Sequence, residues 1–255
     1  WNGDKKYWGR QSPILFPIVG RLKENETLIE DKIYNINQHG FARDMDFDLI
    51  SIDKKSITYK LTSDEKSREI YPYNFNLFIS YTIIDEKVKI TWKVENIDSQ
   101  EIYFSIGGHP AFNISSPENL IDYYIEFKCR KNVNKINLEG PYYGEIEEIE
   151  SLPILELNSS VFENDAIIYT NIDKVSLKSS KEEFYININI KDFPLVGIWT
   201  PYYKDTNSTA PFICIEPWYG LADSVDSNKI YKNKKYINKL NIGESFEVSY
   251  DIEIK

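Results

Sequence analysis

Apolar residues recur at every second position along much of this chain, and this period constrains the fold more than any other feature. Residues 75–83, 88–94 and 246–254 each place apolar side chains on one parity. Successive side chains of a β-strand point to opposite faces, so each run predicts a strand with one buried face. Helical periodicity is hard to find, and turn-forming residues separate the runs. The pattern predicts an all-β fold, an antiparallel β-sandwich.

The length and composition favour one large domain. The 255 residues are 42% hydrophobic and 15% aromatic, enough for a sizeable core, and a β-sandwich can reach this length. No linker, low-complexity tract or internal repeat interrupts the chain, so we predict one domain over residues 1–255. Because the chain begins at Trp1, we expect that N-terminal strands are missing from it. The acidic, irregular segment 131–160 predicts a surface loop with short strands.

Charge and cysteine content narrow the range of partners. The formal net charge is −10 and no basic stripe is present, which argues against a nucleic-acid partner. No segment has the apolar length of a membrane span or the pattern of a signal peptide, so we predict no membrane partner and a cytoplasmic protein. Cys129 and Cys214 match no metal-binding spacing, and we expect both to be reduced thiols. The sequence predicts no metal site, and a monomer or a homodimer.

The chain has only two histidines, and each lies beside glycine. His39 precedes Gly40, and His109 follows Gly107 and Gly108. Imidazole titrates close to physiological pH, so scarce histidines in such segments are candidates for proton transfer. Two glycines in a row let a ligand approach the backbone closely. The alternatives are hydrogen-bonded core histidines and a structural bulge at the glycines.

Glu216 and Arg21 are further candidates because each lies at the end of a run of apolar residues. Glu216 follows Phe-Ile-Cys-Ile and precedes Pro217, and apolar surroundings of this kind raise a carboxyl pKa toward the range of a general base. Arg21 follows Gly20, and its fork of donors suits a pair of hydroxyls or a carboxylate. The alternatives are a glutamate exposed at the rim of a sheet and an ordinary surface arginine.

Four segments together resemble the aldose 1-epimerase (mutarotase) family, especially the branch encoded alongside lactose-utilisation genes. In chain order they are Arg10-x-x-Pro-Ile-Leu-Phe-Pro-Ile-Val-Gly-Arg21, Gln38-His-Gly-Phe-Ala-Arg-Asp44, Gly108-His-Pro-Ala-Phe112 and Glu216-Pro-Trp218. The resemblance extends from about Trp8 to Gly220. It implies the galactose mutarotase-like supersandwich, a large antiparallel two-layer β-sandwich with the sugar site in a cleft on a sheet face.

The resemblance also implies a role for each matching residue. His109 corresponds to the general acid that protonates the sugar ring oxygen, and Glu216 to the base that removes the anomeric hydroxyl proton. His39 corresponds to a histidine that hydrogen-bonds the sugar near its ring oxygen. The other substrate-binding positions that the match implies are Arg21, Gln38, Asp165, Arg10 and Arg43.

The implied reaction interconverts the α and β anomers of a hexose by ring opening and reclosure, with a small-molecule sugar as partner and no cofactor. It needs an ionised carboxylate and a protonated imidazole at the same time. Three alternatives stay open. Arg10 and Arg43 match positions that bind phosphate in branches acting on hexose 6-phosphates. A carbohydrate-binding protein without catalysis could share the fold. A glycosidase or lyase normally needs two carboxylates, here Glu216 and Asp165.

Overall fold

Strands dominate the structure, as the alternation predicts. The structure is a computed structural model and describes residues 1–115, 117–152, 154–183 and 185–254. The strands are β1 (Ile14–Leu15), β2 (Glu26–Ile29), β3 (Lys32–Asn35), β4 (Asp48–Ile52), β5 (Ser56–Thr62), β6 (Phe75–Ile84), β7 (Lys87–Asn96), β8 (Ile102–Phe104), β9 (Ile106–Gly108), β10 (Ala111–Asn113), β11 (Tyr123–Cys129), β12 (Val133–Glu139), β13 (Tyr142–Ile149), β14 (Leu155–Glu156), β15 (Ile167–Thr170), β16 (Ile172–Ser179), β17 (Tyr185–Asn189), β18 (Leu195–Trp199), β19 (Tyr202–Tyr203), β20 (Ser208–Thr209), β21 (Phe212–Tyr219), β22 (Asn238–Leu240) and β23 (Ser245–Ile254).

The helices are short. They are the α-helix α1 (Glu65–Ile70) and the 3-10 helices Lys23–Asn25, Ala42–Asp44, Pro117–Asp122, Ser159–Phe162 and Tyr231–Asn233. Within the described ranges, no helix has the length and apolar character that crossing a bilayer requires.

Two large sheets contain most of the strands. The front sheet has eight strands in the order β1-β9-β21-β18-β15-β12-β13, with β10 also paired to β21. The back sheet has nine strands in the order β14-β11-β16-β17-β23-β7-β6-β5-β4. The pairs β2–β3, β8–β22 and β19–β20 form small separate sheets. All of these strand pairs are antiparallel, for example β6 with β7 and β18 with β21, which confirms the predicted all-β, antiparallel fold.

The main hydrophobic core lies between the two large sheets. Trp92 and Val94 of β7 in the back sheet belong to the same buried cluster as Ile213 and Ile215 of β21 in the front sheet. The Trp92 ring meets Phe193 edge to face, with ring centroids 5.7 Å apart. The inner faces of both sheets therefore pack on each other, and the predicted two-layer sandwich is confirmed.

The parity of β21 places its carboxylate on the outer face of the front sheet. Ile213 and Ile215 belong to the main core, whereas Cys214 lies in a separate cluster on the other side of the strand. Glu216 shares the parity of Cys214 and is buried. Because successive side chains of a strand alternate between faces, Glu216 points away from the back sheet.

The glycines before His109 allow close packing on both faces of β9. A Cβ on Gly107 would lie 2.7 Å from Trp218, and one on Gly108 would lie 2.9 Å from Trp92. Such distances exclude a side chain at either position without movement of an indole ring. The alternation continues to His109, which therefore lies on the same outer face as Glu216.

Two segments differ from their sequence-based expectations. In the segment 131–160, predicted as a surface loop with short strands, β12 and β13 are longer than expected and form a hairpin at one edge of the front sheet. A register shift between Ile136 and Leu138 interrupts the alternation, which hid the full length of these strands in the sequence. The second difference is in β21, which does not end at Glu216. It continues to Tyr219 because Pro217 and Trp218 pair with β18, and Trp218 also pairs with β9.

Candidate active site

A cavity of about 450 Å³ opens on the outer face of the front sheet. This volume lies within the usual range for small-molecule sites. Its polar and charged lining residues are Arg21, Gln38, His39, Arg43, His109, Asp165 and Glu216, and its other lining residues are Trp8, Gly20, Leu138, Pro141, Ala166, Ile168, Trp199, Trp218, Leu221 and Ala222. Seven of the eight site residues predicted from the sequence thus meet in one cavity, and Arg10 does not line it.

His109 and Glu216 form a buried pair in this cavity. His109 Nε2 lies 3.4 Å from Glu216 Oε1, and both side chains are almost inaccessible to solvent. The Trp8 ring stacks on the imidazole with centroids 4.6 Å apart, and Trp199 meets it edge-on at 5.4 Å. These rings exclude water from the pair and fix the orientation of the imidazole.

The outer atoms of the pair lack well-formed hydrogen bonds to protein. Among the described residues, His109 Nδ1 and Glu216 Oε2 are buried without a hydrogen-bond partner. Trp218 Nε1 in the same cavity is also buried without one. Unpaired buried polar atoms are costly to a fold, and they often mark positions where a ligand supplies the missing partner.

Burial shifts the two pKa values in opposite directions. It lowers the pKa of His109 to about 3, and the nearby Arg43 and Arg10 charges act in the same direction. Burial also raises the pKa of Glu216 well above its usual range, as does the negative charge of Asp165, while the nearby Trp218 indole opposes this shift. The raised Glu216 pKa agrees with the direction that the sequence predicts. Both shifts favour the neutral form of each group, whereas the implied reaction needs both groups in their charged forms.

His39 is a neutral hydrogen-bonding group rather than a second acid. Its backbone has a φ of 66°, and the Gly20 backbone N–H donates to its Nδ1 at 3.1 Å. A neutral ring must then carry its proton on Nε2. Gln38 Nε2 lies 3.3 Å from this atom, so the Gln38 side-chain amide can accept from it only with its oxygen turned toward the ring. Burial lowers the pKa of His39 well below its ordinary value, and the charges of Arg43 and Arg21 act in the same direction.

Arg21 reaches the cavity through a tight backbone turn. Gly20 before it has a φ of 73°, and a Cβ there would lie 2.7 Å from the Cβ of Ala222. Glycine is therefore required on both grounds, since left-handed backbone and close contact both disfavour a side chain. Behind this turn, the Asp223 backbone N–H donates to the Arg21 carbonyl oxygen at 2.8 Å.

The arginines that follow the phosphate-binding pattern lie in different surroundings. Arg43 lines the cavity and donates through Nη2 to the Gln38 carbonyl oxygen at 2.7 Å. Burial lowers the pKa of Arg43, and the neighbouring Arg10 adds to this shift. Arg10 is partly exposed and pairs with Asp44 at 2.7 Å. Its predicted contact with a substrate would require it to leave that pair.

Asp165 and two tryptophans complete the cavity. Asp165 follows the 3-10 helix Ser159–Phe162 with a φ of 70°, and burial raises the pKa of its carboxyl group. The sequence did not single out Trp8 or Trp199 for the site. Trp199 ends β18, where its backbone pairs with Cys214 two residues before Glu216, so strand pairing could have placed it. Trp8 lies outside the strands, and no local signal marks its position.

The comparisons with known proteins agree with this arrangement. The family model of aldose 1-epimerase matches residues 1–232, and the chain belongs to this family. It is 31% identical to the chromosomal protein LacX of Lactococcus lactis subsp. lactis over 271 aligned positions, which cover 100% of this chain and 88% of LacX. The structure of a galactose mutarotase related enzyme from Lactobacillus acidophilus superposes with a TM-score of 0.94 at 33% identity, covering 100% of this chain and 86% of that one. A galactose mutarotase-like protein from Lactobacillus casei ATCC 334 gives 0.92 at 29% identity, with 100% and 88% covered.

Proposed function

We propose that this protein is an aldose 1-epimerase that interconverts the α and β anomers of a hexose. The observation that carries the proposal is the buried contact of 3.4 Å between His109 Nε2 and Glu216 Oε1 in a cavity of sugar size. A protein that only binds a sugar has no need to bury an acid and a base against each other. Family membership supports the same reaction class.

The reaction needs one proton donor and one proton acceptor. Because burial favours the neutral forms, the reaction first needs transfer of the Glu216 carboxyl proton to His109, which gives a carboxylate beside an imidazolium. Glu216 then takes the proton of the anomeric hydroxyl while His109 donates its proton to the ring oxygen. The C1–O5 bond breaks and the O1–C1 bond becomes a carbonyl. Rotation about C1–C2 and the reverse proton transfers close the ring on the other face. General acid–base assistance of this kind contributes roughly 10²–10⁴-fold in rate.

The remaining lining groups suit the hydroxyls of a sugar. Arg21 supplies donors, the Asp165 carboxyl group supplies acceptors, and His39 offers a neutral Nε2–H near the ring oxygen. Trp218 offers an indole N–H that has no hydrogen-bond partner among the described residues. A polar small molecule bound here would also complete the hydrogen bonding of the buried pair.

Anomer exchange measured by polarimetry or NMR on freshly dissolved hexoses tests the proposal. Glu216→Gln and His109→Asn keep the approximate size of each side chain, and we expect each to lower kcat by at least about 100-fold. Glu126→Gln on the outer face of the back sheet is the matched control and should leave the rate unchanged. Sugar binding with no exchange by the wild type would indicate a binding protein, and cleavage of a glycoside would indicate a hydrolase. Either result would contradict the proposal.

One observation favours a phosphorylated hexose as a second candidate substrate. Arg43 lines the cavity with its Nε buried and without a hydrogen bond among the described residues, and Arg10 lies close enough to shift its pKa. A phosphate could draw Arg10 from Asp44 and bind both guanidinium groups. The same exchange assay on hexose 6-phosphates decides this. We expect a higher kcat/KM for the phosphosugar than for the free hexose, and we expect Arg43→Gln to abolish this preference. Equal kcat/KM values for the two sugars in the wild type would exclude the phosphosugar.

A further inference from the structure

The fold gathers three potential metal ligands that are distant in the sequence. Cys214 and Glu216 are two residues apart on one face of β21. His109 comes directly after β9, the strand that pairs with β21. All three are buried, and their ligand atoms lie within 4.8 Å of one another. The acid–base reaction uses His109 and Glu216 but gives no role to the Cys214 thiol. Sequence spacing does not reveal this cluster because strand pairing creates it.

We propose that Zn²⁺ binds Cys214, His109 and Glu216 and thereby inhibits the protein. Tetrahedral zinc with nitrogen and oxygen ligands at about 2.0–2.2 Å holds those two ligands about 3.4 Å apart. The distance from His109 Nε2 to Glu216 Oε1 is 3.4 Å, so this pair already has the spacing. A Zn–S distance of about 2.3 Å requires the sulfur to lie about 3.6 Å from the His109 nitrogen and the Glu216 oxygen. These atoms now lie within 4.8 Å of one another, so the sulfur needs to move by roughly 1 Å at most.

The ligand chemistry favours zinc over the hard cations. A thiolate and an imidazole suit Zn²⁺, whereas Mg²⁺ and Ca²⁺ prefer oxygen ligands alone. On binding, the Cys214 thiol and the Glu216 carboxyl group each release one proton to solvent, and His109 gives a lone pair. Two negative ligands then balance the charge of the metal, so the buried site becomes neutral and avoids an unpaired interior charge. Three protein ligands leave the fourth position for water.

The surroundings of His109 make the site weak and reversible. A metal-bound histidine normally donates its other N–H to a carboxylate or carbonyl group, and loss of that support lowers affinity by about 10–100-fold. Among the described residues, His109 Nδ1 has no such partner. We therefore expect micromolar rather than tighter binding. Because zinc would occupy the two atoms proposed to move protons, it would compete with the sugar. The inhibition rests on the proposed function, but the binding does not.

Co²⁺ absorption and zinc titration test the site directly. Co²⁺ bound to a thiolate shows a ligand-to-metal charge-transfer band, and Zn²⁺ should abolish it by displacement. We expect the band in the wild type and in Cys129→Ala, which removes the only other cysteine, half-buried in β11. Cys214→Ala should lose the band and bind Zn²⁺ at least about tenfold more weakly by calorimetry. Anomer exchange by Cys214→Ala should be normal without metal and resist Zn²⁺.

Several results would overturn the proposal. One is a wild type without the thiolate band. Another is a band that persists in Cys214→Ala but disappears in Cys129→Ala. Equal zinc affinities for wild type and Cys214→Ala would have the same force. Cys214→Ser provides a second variant if alanine leaves a cavity that impairs folding, and thermal melts check both. If the wild type binds zinc through Cys214 yet never exchanges anomers, the proposed function fails while the metal site stands.

Discussion

The outer faces of the two large sheets carry opposite kinds of polar chemistry. On the front sheet, His109, Glu216 and Trp218 are buried and hold polar atoms without hydrogen-bond partners among the described residues. On the back sheet, polar side chains pair with one another, as Lys178 does with Glu126 at 2.6 Å. In the described part of the chain, no buried side-chain nitrogen or oxygen that lacks a hydrogen-bond partner lies on a back-sheet strand. Of the two large sheets, only the front one therefore carries buried polar atoms without hydrogen-bond partners among the described residues.

The difference comes from what covers the outer face of each sheet. Trp8 from the N-terminal segment stacks on His109, and the segment containing Gln38 and His39 closes the cavity beside it. These segments exclude solvent from side chains that on an open sheet would bond to water. The back sheet has no such cover over Lys178 and Glu126, whose side chains are about one third exposed. By excluding solvent, the covering segments thus turn polar side chains on the outer face of the front sheet into a buried site.

The largest effect on stability is expected when one charge of a buried ion pair next to the cavity is removed. Lys234 and Asp223 form a buried ion pair with side chains 4% and 2% exposed. Asp223 also accepts from the Lys23 backbone N–H at 2.8 Å, so it fixes the chain on both sides of Leu22 and behind Arg21. Lys234→Met would leave the buried Asp223 carboxylate without its opposite charge, with the Lys23 backbone N–H still donating to it. We expect a loss of about 3–5 kcal/mol in the free energy of unfolding, measured by urea titration.

A double variant separates charge from packing at this pair. Asp223→Asn combined with Lys234→Met removes both charges, and we expect it to recover a large part of the lost stability. Both variants keep the backbone contact to Arg21, but only the single variant leaves an unpaired charge behind it, so KM should rise more in the single variant while kcat changes little. A loss below about 1 kcal/mol in the single variant would show that burial does not distinguish this pair from surface pairs.

A second prediction concerns the glycine that joins the core to the site. A Cβ on Gly108 would lie 2.9 Å from Trp92 Cζ2 and 3.2 Å from the Tyr250 hydroxyl oxygen. Gly108→Ala should therefore overpack the inner face and cost about 1–3 kcal/mol by thermal or urea unfolding. Because His109 is the next residue, kcat for anomer exchange should also fall. Unchanged stability and rate together would mean that the Trp92 indole can move aside freely.

The contrast also predicts a difference in acid sensitivity. Burial holds the pKa of His109 at about 3, whereas in the unfolded chain it has its ordinary value of 6.5. Between these values the unfolded state binds the proton and the folded state does not, so stability falls as the pH decreases below about 6.5. The contribution is about 1.4 kcal/mol per pH unit. Urea titrations at about pH 6.5 and about pH 4.5 should show that His109→Asn loses less stability than the wild type.

A histidine placed on the other outer face provides the control. Ser249 lies on the back-sheet strand β23 and is half-exposed. In Ser249→His, solvent can hydrate the imidazolium, so the added histidine should not increase the acid sensitivity. Equal pH dependence for wild type and His109→Asn, or a strong new dependence in Ser249→His, would remove burial as the cause.

The placement of the site residues on the outer face of the front sheet can largely be predicted from the sequence. The segments that cover this face, such as the one containing Trp8, cannot. Strand parity along β21 depends only on neighbouring residues, so the order of residues is enough to place Glu216 and Cys214 on one face. The scarcity of histidine identifies His39 and His109 as candidates, and the family motifs add Asp165. Trp8 and the salt bridge between Arg10 and Asp44 depend on contacts between distant segments. The full length of β12 and β13 escapes prediction because their register shift breaks the period of two that marks the other strands.

The smallest expected effect belongs to the ion pair on the back sheet. Lys178 and Glu126 lie 2.6 Å apart on adjacent strands, and 33% and 38% of their side chains are exposed. Water solvates either charge when its partner is removed, and exposed pairs contribute less than about 1 kcal/mol. Lys178→Met should therefore change the urea midpoint only slightly, with no change in anomer exchange. Since Lys234→Met makes the same substitution in a buried pair, the two variants differ mainly in solvent access. A comparable loss in both would show that distance, rather than solvent access, sets the strength of these pairs.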